Sequence, residues 1–347
     1  MRIAIDAMGT DHCPAPDVEG AVLAAREFGD PIVLVGDEAR IRAELARHSA
    51  SALPITVAHA AEQVTMEDKP SQVGKGKPDS SMHVGMNLVR DGQADAFVTA
   101  GNTGAALSIA TLFSLKRIEG VKRPAITAVI RIAGQSVVFV DVGANADARP
   151  EWMAQFAIMG RIYAKYALGL SNPRVALLSN GEEEGKGNQL IHDSTDLLKA
   201  MDLNYVGNVE PKDLLGGGVD VVVADGFVGN VFIKTLESST RMLTSLIRQE
   251  LMGSTLTKIG AVLARSAFER VRRQIDPFEI GGAPLLGVNG VVIIAHGRSN
   301  AFAIKNAVRQ ARLAVDGGLI DAIREGVASH DTAVRVAVEQ QSAGDGA

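Results

Sequence analysis

Asn102, Asn145, Asn180, Asn230 and Asn300, with Lys186 and His296, all lie where a short apolar run gives way to a glycine-containing loop. These side chains can hold an anion. An Asn amide donates hydrogen bonds to phosphoryl or carbonyl oxygens without adding charge, which suits an oxyanion site. Asn also caps helices and takes left-handed turn positions, so both readings stand for these residues. Lys186 sits in Gly181-Glu182-Glu183-Glu184-Gly185-Lys186-Gly187. That run differs from a phosphate-binding P-loop: it is one residue short between the glycines, lacks Ser or Thr after the lysine, and carries three carboxylates. What remains is either a polar loop offering a single lysine or a solvated run of charge. His296 ends the run Val291–Ala295 and reads as a ligand contact or as a structural histidine.

The loops share one design. Ile5-Asp6-Ala7-Met8-Gly9, Val98 to Gly104, Val140 to Asn145, Leu178 to Glu182, Val223 to Asn230 and Ala295 to Asn300 each end an apolar run in Gly with Asp, Asn or Ser, and a helix-like stretch follows. In a parallel α/β sheet such loops lie together at the carboxyl ends of strands, where ligands bind. Glycine permits close backbone approach, and a following helix turns its positive end toward an anion. The expectation is a crevice for a small anionic group.

Other chemistry is disfavoured. Met8-Gly9-Thr10-Asp11-His12-Cys13-Pro14 follows the first apolar run where a dinucleotide fold needs G-x-G-x-x-G. The seven histidines include no i,i+4 pair and no cysteine partner, so no zinc site is expected. The one cysteine, Cys13, has no base at a defined spacing and makes a poor nucleophile; being alone, it also fits a reducing compartment. Aromatic residues make up 4% and the net charge is −5, which argues against a nucleic-acid platform. No apolar run approaches the roughly 18 residues of a membrane span, and the chain opens on a strand-like segment, Met1–Asp6, from which no secretory leader is expected. A cytoplasmic location follows as the default.

The elements that must position these loops alternate. Apolar runs at Ile3–Asp6, Ile32–Gly36, Ile55–Ala58, Ala96–Thr99, Ile126–Ile130, Val137–Asp141, Val175–Leu178, Val219–Ala224 and Val291–Ala295 read as strands. Helices are expected from near Pro16, after Asp37, from Asp79 or Ser80 to Arg90, and from Pro150. Gln63–Pro78 reads as a long mobile loop. The alternation predicts a mostly parallel, helix-covered α/β sheet in one domain over 1–335, with a frayed tail over 336–347. Val206–Val209 and Val228–Val231 repeat the same four residues, a match too short to signal a repeat.

Leu236–Asp276 breaks the rhythm. Leu236, Leu243, Ile247 and Leu251 keep one helical face, and beyond Gly253-Ser254 so do Leu256, Ile259, Leu263, Ala267, Val271 and Ile275. The segment is net +3 while the rest of the chain is −8. It predicts a protruding helical hairpin serving either a dimer interface or a basic amphipathic surface for a membrane or an acidic partner.

With Asp11-His12 and Pro14 added to the first loop, Lys186-Gly187-Asn188 to the fourth, and Gly281-Gly282-Ala283-Pro284-Leu285-Leu286-Gly287, the loops resemble the PlsX family, the phosphate acyltransferases of bacterial phospholipid synthesis. The match runs from residue 1 to about 330. It implies a fold like the phosphotransacetylases and the isopropylmalate dehydrogenase group. It also implies transfer of a long fatty acyl group from acyl carrier protein to inorganic phosphate, giving acyl phosphate for a membrane glycerol-3-phosphate acyltransferase. Homodimerisation, peripheral membrane association, and no metal or nucleotide cofactor are implied as well. A phosphotransacetylase using short acyl-CoA is the nearest alternative. An NAD-dependent decarboxylating dehydrogenase and a non-enzymatic lipid- or carrier-binding protein are more distant ones.

On this reading Lys186, Asn230 and His296 are the expected catalytic groups. Lys186 meets the phosphate charge, Asn230 donates to phosphate or oxyanion, and His296 orients phosphate or protonates the departing sulfur. Asn102, Thr103, Asn145, Asn180 and Asp225 are expected around the substrate, Asp225 chiefly fixing the Asn230 loop. Arg241, Arg248, Lys258 and Arg265 are candidates for docking an acidic carrier, and Leu256, Ile259 and Leu263 for touching lipid. Two departures from the family pattern stand out: Thr10 and Cys13 replace Gly and Ala, and no arginine precedes Asp79-Ser80-Ser81, leaving Lys75 or Lys77 as substitutes.

Overall fold

The computed structural model describes residues 1–132 and 134–330. In chain order it builds β1 (Ile3–Asp6), α1 (Ala15–Phe28), β2 (Ile32–Gly36), α2 (Glu38–Leu45), β3 (Ile55–His59), α3 (Pro70–Gly76), α4 (Ser81–Arg90), β4 (Ala96–Thr99) and α5 (Thr103–Ser108). Next come β5 (Ala125–Ile132), β6 (Gln135–Val140), α6 (Pro150–Tyr166), β7 (Val175–Leu178), α7 (Gln189–Lys199), β8 (Tyr205–Val209) and β9 (Val221–Val223). Then follow α8 (Gly226–Leu251), α9 (Thr255–Leu263), α10 (Arg265–Ile275), β10 (Ala283–Leu286), β11 (Val291–Ile294) and α11 (Ala301–Asp316), and residues 319–330 are helical as well.

Among the described residues eleven strands join one sheet in the order β3-β2-β1-β4-β11-β10-β5-β6-β9-β7-β8. β1, β4, β7, β9 and β11 are buried along their whole length, which is why they read as continuous Val/Ile/Leu runs rather than alternating ones. Caps fix the helix starts: the Asp37, Ser80 and Asn300 side chains accept from Arg40, His83 and Ala303 N–H.

The sheet is mostly parallel, yet its two blocks run in opposite senses. β3, β2, β1, β4 and β11 are mutually parallel, as are β6, β9, β7 and β8. Three antiparallel pairings, β11–β10, β10–β5 and β5–β6, separate them. β10 changes neighbour midway: Ala283 and Pro284 pair with β11, Leu285 and Leu286 with β5. The loops expected to gather at one sheet edge therefore fall into two sets, after β1, β4 and β11 and after β6, β7 and β9. The link between the two sets runs through α8, whose Glu237 meets His296 and Arg298 in the loop after β11.

Other expectations are also corrected. Gln63–Pro78 contains α3, whose Val73 and Gly74 are buried; Gly74 lies so close under the Phe113 ring that a methyl there would collide. Its short length and two glycines hid it from periodicity. β8 and β10 were missed, β8 because only its last two residues are buried and β10 because Pro284 argues against an interior strand. Val206–Val209 lies in β8 and Val228–Val231 in α8, so the four-residue match is no repeat. No strand interrupts Leu236–Asp276, but the outgoing helix already starts at Gly226, and the return is split into α9 and α10, with α10 coming back to β5. The expected tail over 336–347 lies outside the described residues.

Candidate active site

In the first block, buried Asp6 accepts from Met8 N (3.0 Å) and Thr99 Oγ1 (2.8 Å), and Thr99 Oγ1 accepts from Gly101 N. Burial pushes the Asp6 carboxyl up, opposed by hydrogen bonds from Ser81 and Thr99. The loops after β1 and β4 cross at Gly9, where a Cβ would stand 2.9 Å from Ala100 N. Only glycine fits there. Asp11 N donates to Gly297 O, adding the loop after β11. Thr10, the unusual residue, donates to buried Asp17 at 2.5 Å. Burial raises the Asp17 carboxyl well above its ordinary range.

The second block is organised by Asp141. Its carboxylate accepts five N–H donors, from the Ile126, Gly143, Ala144 and Asn145 backbone and the Asn145 amide, at 2.7 to 3.2 Å. Burial pushes its pKa up against these bonds. Asn145 also donates to Pro124 O, and its own carbonyl accepts from Gly226 N at 2.7 Å. Asp225 caps α8 by accepting from Phe227 N and Val228 N. A methyl at Gly229 would overlap the Asp141 carbonyl oxygen, so glycine lets α8 seat against this loop.

Between this loop and α8 opens a cleft of about 640 Å³, within the usual range for small-molecule sites. Asn230, Lys234, Thr235, Ser238 and Ser239 supply its polar wall, Gly143 and Ala146 the opposite side, and Phe227 and Val231 an apolar lip. Asn230 lies against Gly143. Further along α8, Glu237 meets His296 Nε2 at 3.4 Å and Arg298 at 3.8 Å. The bond to His296 is the main cause holding the Glu237 carboxyl below its usual range. One face of α8 thus reaches both blocks.

The expected residues divide. Asn102 caps α5 and donates to the Thr65, Met66 and Asp68 carbonyls; Asn145 and Asn180 tie their own loops, Asn180 accepting from Gly187 N; Asn300 caps α11. Asn230 is the exception: its amide bonds to no protein group among the described residues. Thr103 is exposed in the first turn of α5. Lys186 is exposed beyond β7 with no carboxylate partner among the described residues, whereas neighbouring Glu182 and Glu184 pair with Lys212 and Lys199. Lys186 does not line the cleft. Lys77 is engaged by Asp68 at 2.6 Å and by Gln63 O, which leaves Lys75 as the substitute without such a bond.

Lys234, Thr235, Glu237 and Ser238 were missed. Their signal was present: 230, 234, 237 and 238 follow the i, i+4, i+7, i+8 spacing of one helical face. Reading the helix as beginning at Leu236 cut that face in two. Glu182, Glu210 and Asp213 cluster closely enough to suggest a metal, but Lys212 already supplies the cation, 2.9 Å from both glutamates.

Residues 1–322 match the family model described as fatty acid synthesis protein. A phosphate acyltransferase of Trichlorobacter lovleyi is 49% identical over 325 residues, covering 94% of each chain. One from Geobacter sulfurreducens is 46% identical over 333 residues, covering 96% of each. Among solved structures, a phosphotransacetylase from Streptococcus pyogenes aligns over 92% of this chain and 94% of its own, at 18% identity and a TM-score of 0.60. A branched-chain phosphotransacylase from Enterococcus faecalis covers 90% and 98%, at 14% identity and a TM-score of 0.52. These two likenesses are of fold alone.

Proposed function

The chain belongs to the fatty acid synthesis protein family and is a phosphate acyltransferase, and from that premise we propose that it moves a long-chain fatty acyl group from acyl carrier protein to inorganic phosphate. The observation that carries the site assignment is the polar face of α8: Asn230, with its amide unspent, and Lys234 line one cleft against the Asp141–Ala146 loop.

The chemistry asks little covalent work of the protein. Phosphate is an anionic nucleophile near neutral pH, and a thiol with a pKa of roughly 8.5 leaves with little acid help. A phosphate oxygen attacks the thioester carbonyl carbon, the tetrahedral oxyanion collapses, the C–S bond breaks, and the thiolate takes a proton. Placement and charge stabilisation dominate. Lys234 balances phosphate charge and Asn230 donates to the oxyanion within the cleft, while Lys186 and Thr103, outside its lining, add a positive charge and a hydroxyl from the loop beyond β7 and the start of α5. His296, oriented by Glu237, delivers the proton to sulfur. Asn102, Asn145, Asn180 and Asp225 serve the substrate by holding the loops.

The α8–α10 excursion suits the donor and the membrane. Arg241, Arg248 and Lys258 have no carboxylate partner among the described residues, while Arg265 pairs with Glu269. They fit an acidic carrier protein. Leu256 and Leu263 are 80% and 81% exposed, with Ile259 beside them, a surface suited to lipid or to a second copy of the chain. No helix among the described residues is long and apolar enough to cross a membrane, so the contact proposed is peripheral.

The test incubates the protein with phosphate and either palmitoyl carrier protein or acetyl-CoA, trapping acyl phosphate with hydroxylamine. Hydroxamate from the carrier donor supports the reading. Product from acetyl-CoA alone would make it a short-chain phosphotransacetylase.

A further inference from the structure

Trp152, the only tryptophan of the chain, carries two arginines on its ring. The Arg123 guanidinium lies 4.8 Å and that of Arg149 5.5 Å from the ring centroid. Neither has a carboxylate partner among the described residues. Asp147 and Glu151 flank Arg149 in sequence, and both are exposed and unpaired. Two cations within about 6 Å of one ring centroid, with no carboxylate paired to either among the described residues, repel one another, and the ring quadrupole offsets only part of that. Each guanidinium offers the planar, multiply donating fork that matches a phosphate group.

The pair is tied to the cleft. Arg149 lies three residues beyond Ala146, which lines it, so at ~3.5 Å per residue the two are within roughly 11 Å. Arg123 precedes Pro124, whose carbonyl accepts from Asn145 at 2.8 Å. Arg149 also stands at the N-cap of the long helix α6, whose positive end adds to the field, and Pro150 follows it.

The geometry points to Arg123 and Arg149, on Trp152, as the subsite for the phosphate of the acyl donor's pantetheine arm. This rests on the pantetheine-thioester reading above. Orthophosphate and thioester meet at Asn230 and Lys234, while the donor's own phosphate is held outside the reaction at the arginine pair. A flexible arm anchored at its phosphate presents its thioester at high effective concentration.

The probe is already in place, because all tryptophan emission comes from Trp152. Full-length protein is titrated with 4′-phosphopantetheine, pantetheine and inorganic phosphate in parallel. A saturable emission change with phosphopantetheine, at least tenfold weaker with the other two and lost in R123Q/R149Q, is the expected result. Equal responses to phosphopantetheine and pantetheine, or to phosphopantetheine and orthophosphate, or no response, would overturn it. In turnover, R123Q/R149Q should raise KM for palmitoyl carrier protein about tenfold with kcat nearly unchanged, leaving phosphate-free palmitoyl-pantetheine unaffected. Equal effects on both donors would also overturn it. Phosphopantetheine binding at Trp152 without any acyl phosphate formed would instead reject the acyl-transfer reading and leave the subsite standing.

Discussion

His296 Nε2 lies 3.4 Å from Glu237 Oε1, so the end of β11 in one block of the sheet is fastened to α8, the helix that leaves the other. A half-buried carboxylate facing an imidazole fixes the ring's orientation, as a proton donor to a departing sulfur requires.

E237Q and H296N should each lower kcat about tenfold, below the usual hundredfold or more for acid catalysis because a thiolate leaves readily. Stability adds a second readout. The Glu237 carboxyl is depressed below 4.5, chiefly by the His296 bond, so its contribution is complete above that pH and lost as pH falls through the folded value. Urea midpoints at pH 7 and near pH 4 should therefore differ less in E237Q than in the wild type. An unchanged difference would remove the pair from the account.

Lys234 and Asn230 line the cleft and Lys186 does not. K234A and N230A should reduce kcat/KM for phosphate by about a hundredfold, the loss expected for one oxyanion donor. K186A should cost ten-fold or more without unfolding the protein. Phosphate titrations in the hydroxylamine assay rank the three. Wild-type rates in K234A would move the anion site elsewhere.

At Gly229 a methyl meets the Asp141 carbonyl, part of the loop that carries five N–H bonds to the Asp141 carboxylate. G229A should destabilise the fold by about 1–3 kcal/mol and abolish turnover, because α8 would be pushed off the cleft wall. Denaturant unfolding and the same assay measure both. Retained stability and activity would show that α8 seats differently.

Leu256→Glu with Ile259→Glu places two charges on the most exposed part of the α8–α10 excursion. Flotation with anionic liposomes should show several-fold weaker binding than wild type, with soluble-donor turnover preserved. Equal flotation discards the lipid contact, and a change in sedimentation mass would assign the face to a second copy instead.

Local chemistry was legible in the chain. Buried strands announced themselves as β-branched runs, Asp37 and the Asp79-Ser80 pair as caps, and the loops by glycine beside Asp or Asn, since each depends on neighbours a few residues apart. The resemblance carried by those loops gave the family. Which loop residues are free to act was not legible. Asn102 and Asn230 look alike in sequence, yet one amide is spent on carbonyls 34 to 37 positions away and the other is unspent. Only tertiary packing decides that, because a hydrogen bond to a distant segment leaves no local trace. The same holds for the reversal at β10, which sets two blocks of loops facing a single helix, and for Glu237, whose partner at 296 enters the site from another part of the chain.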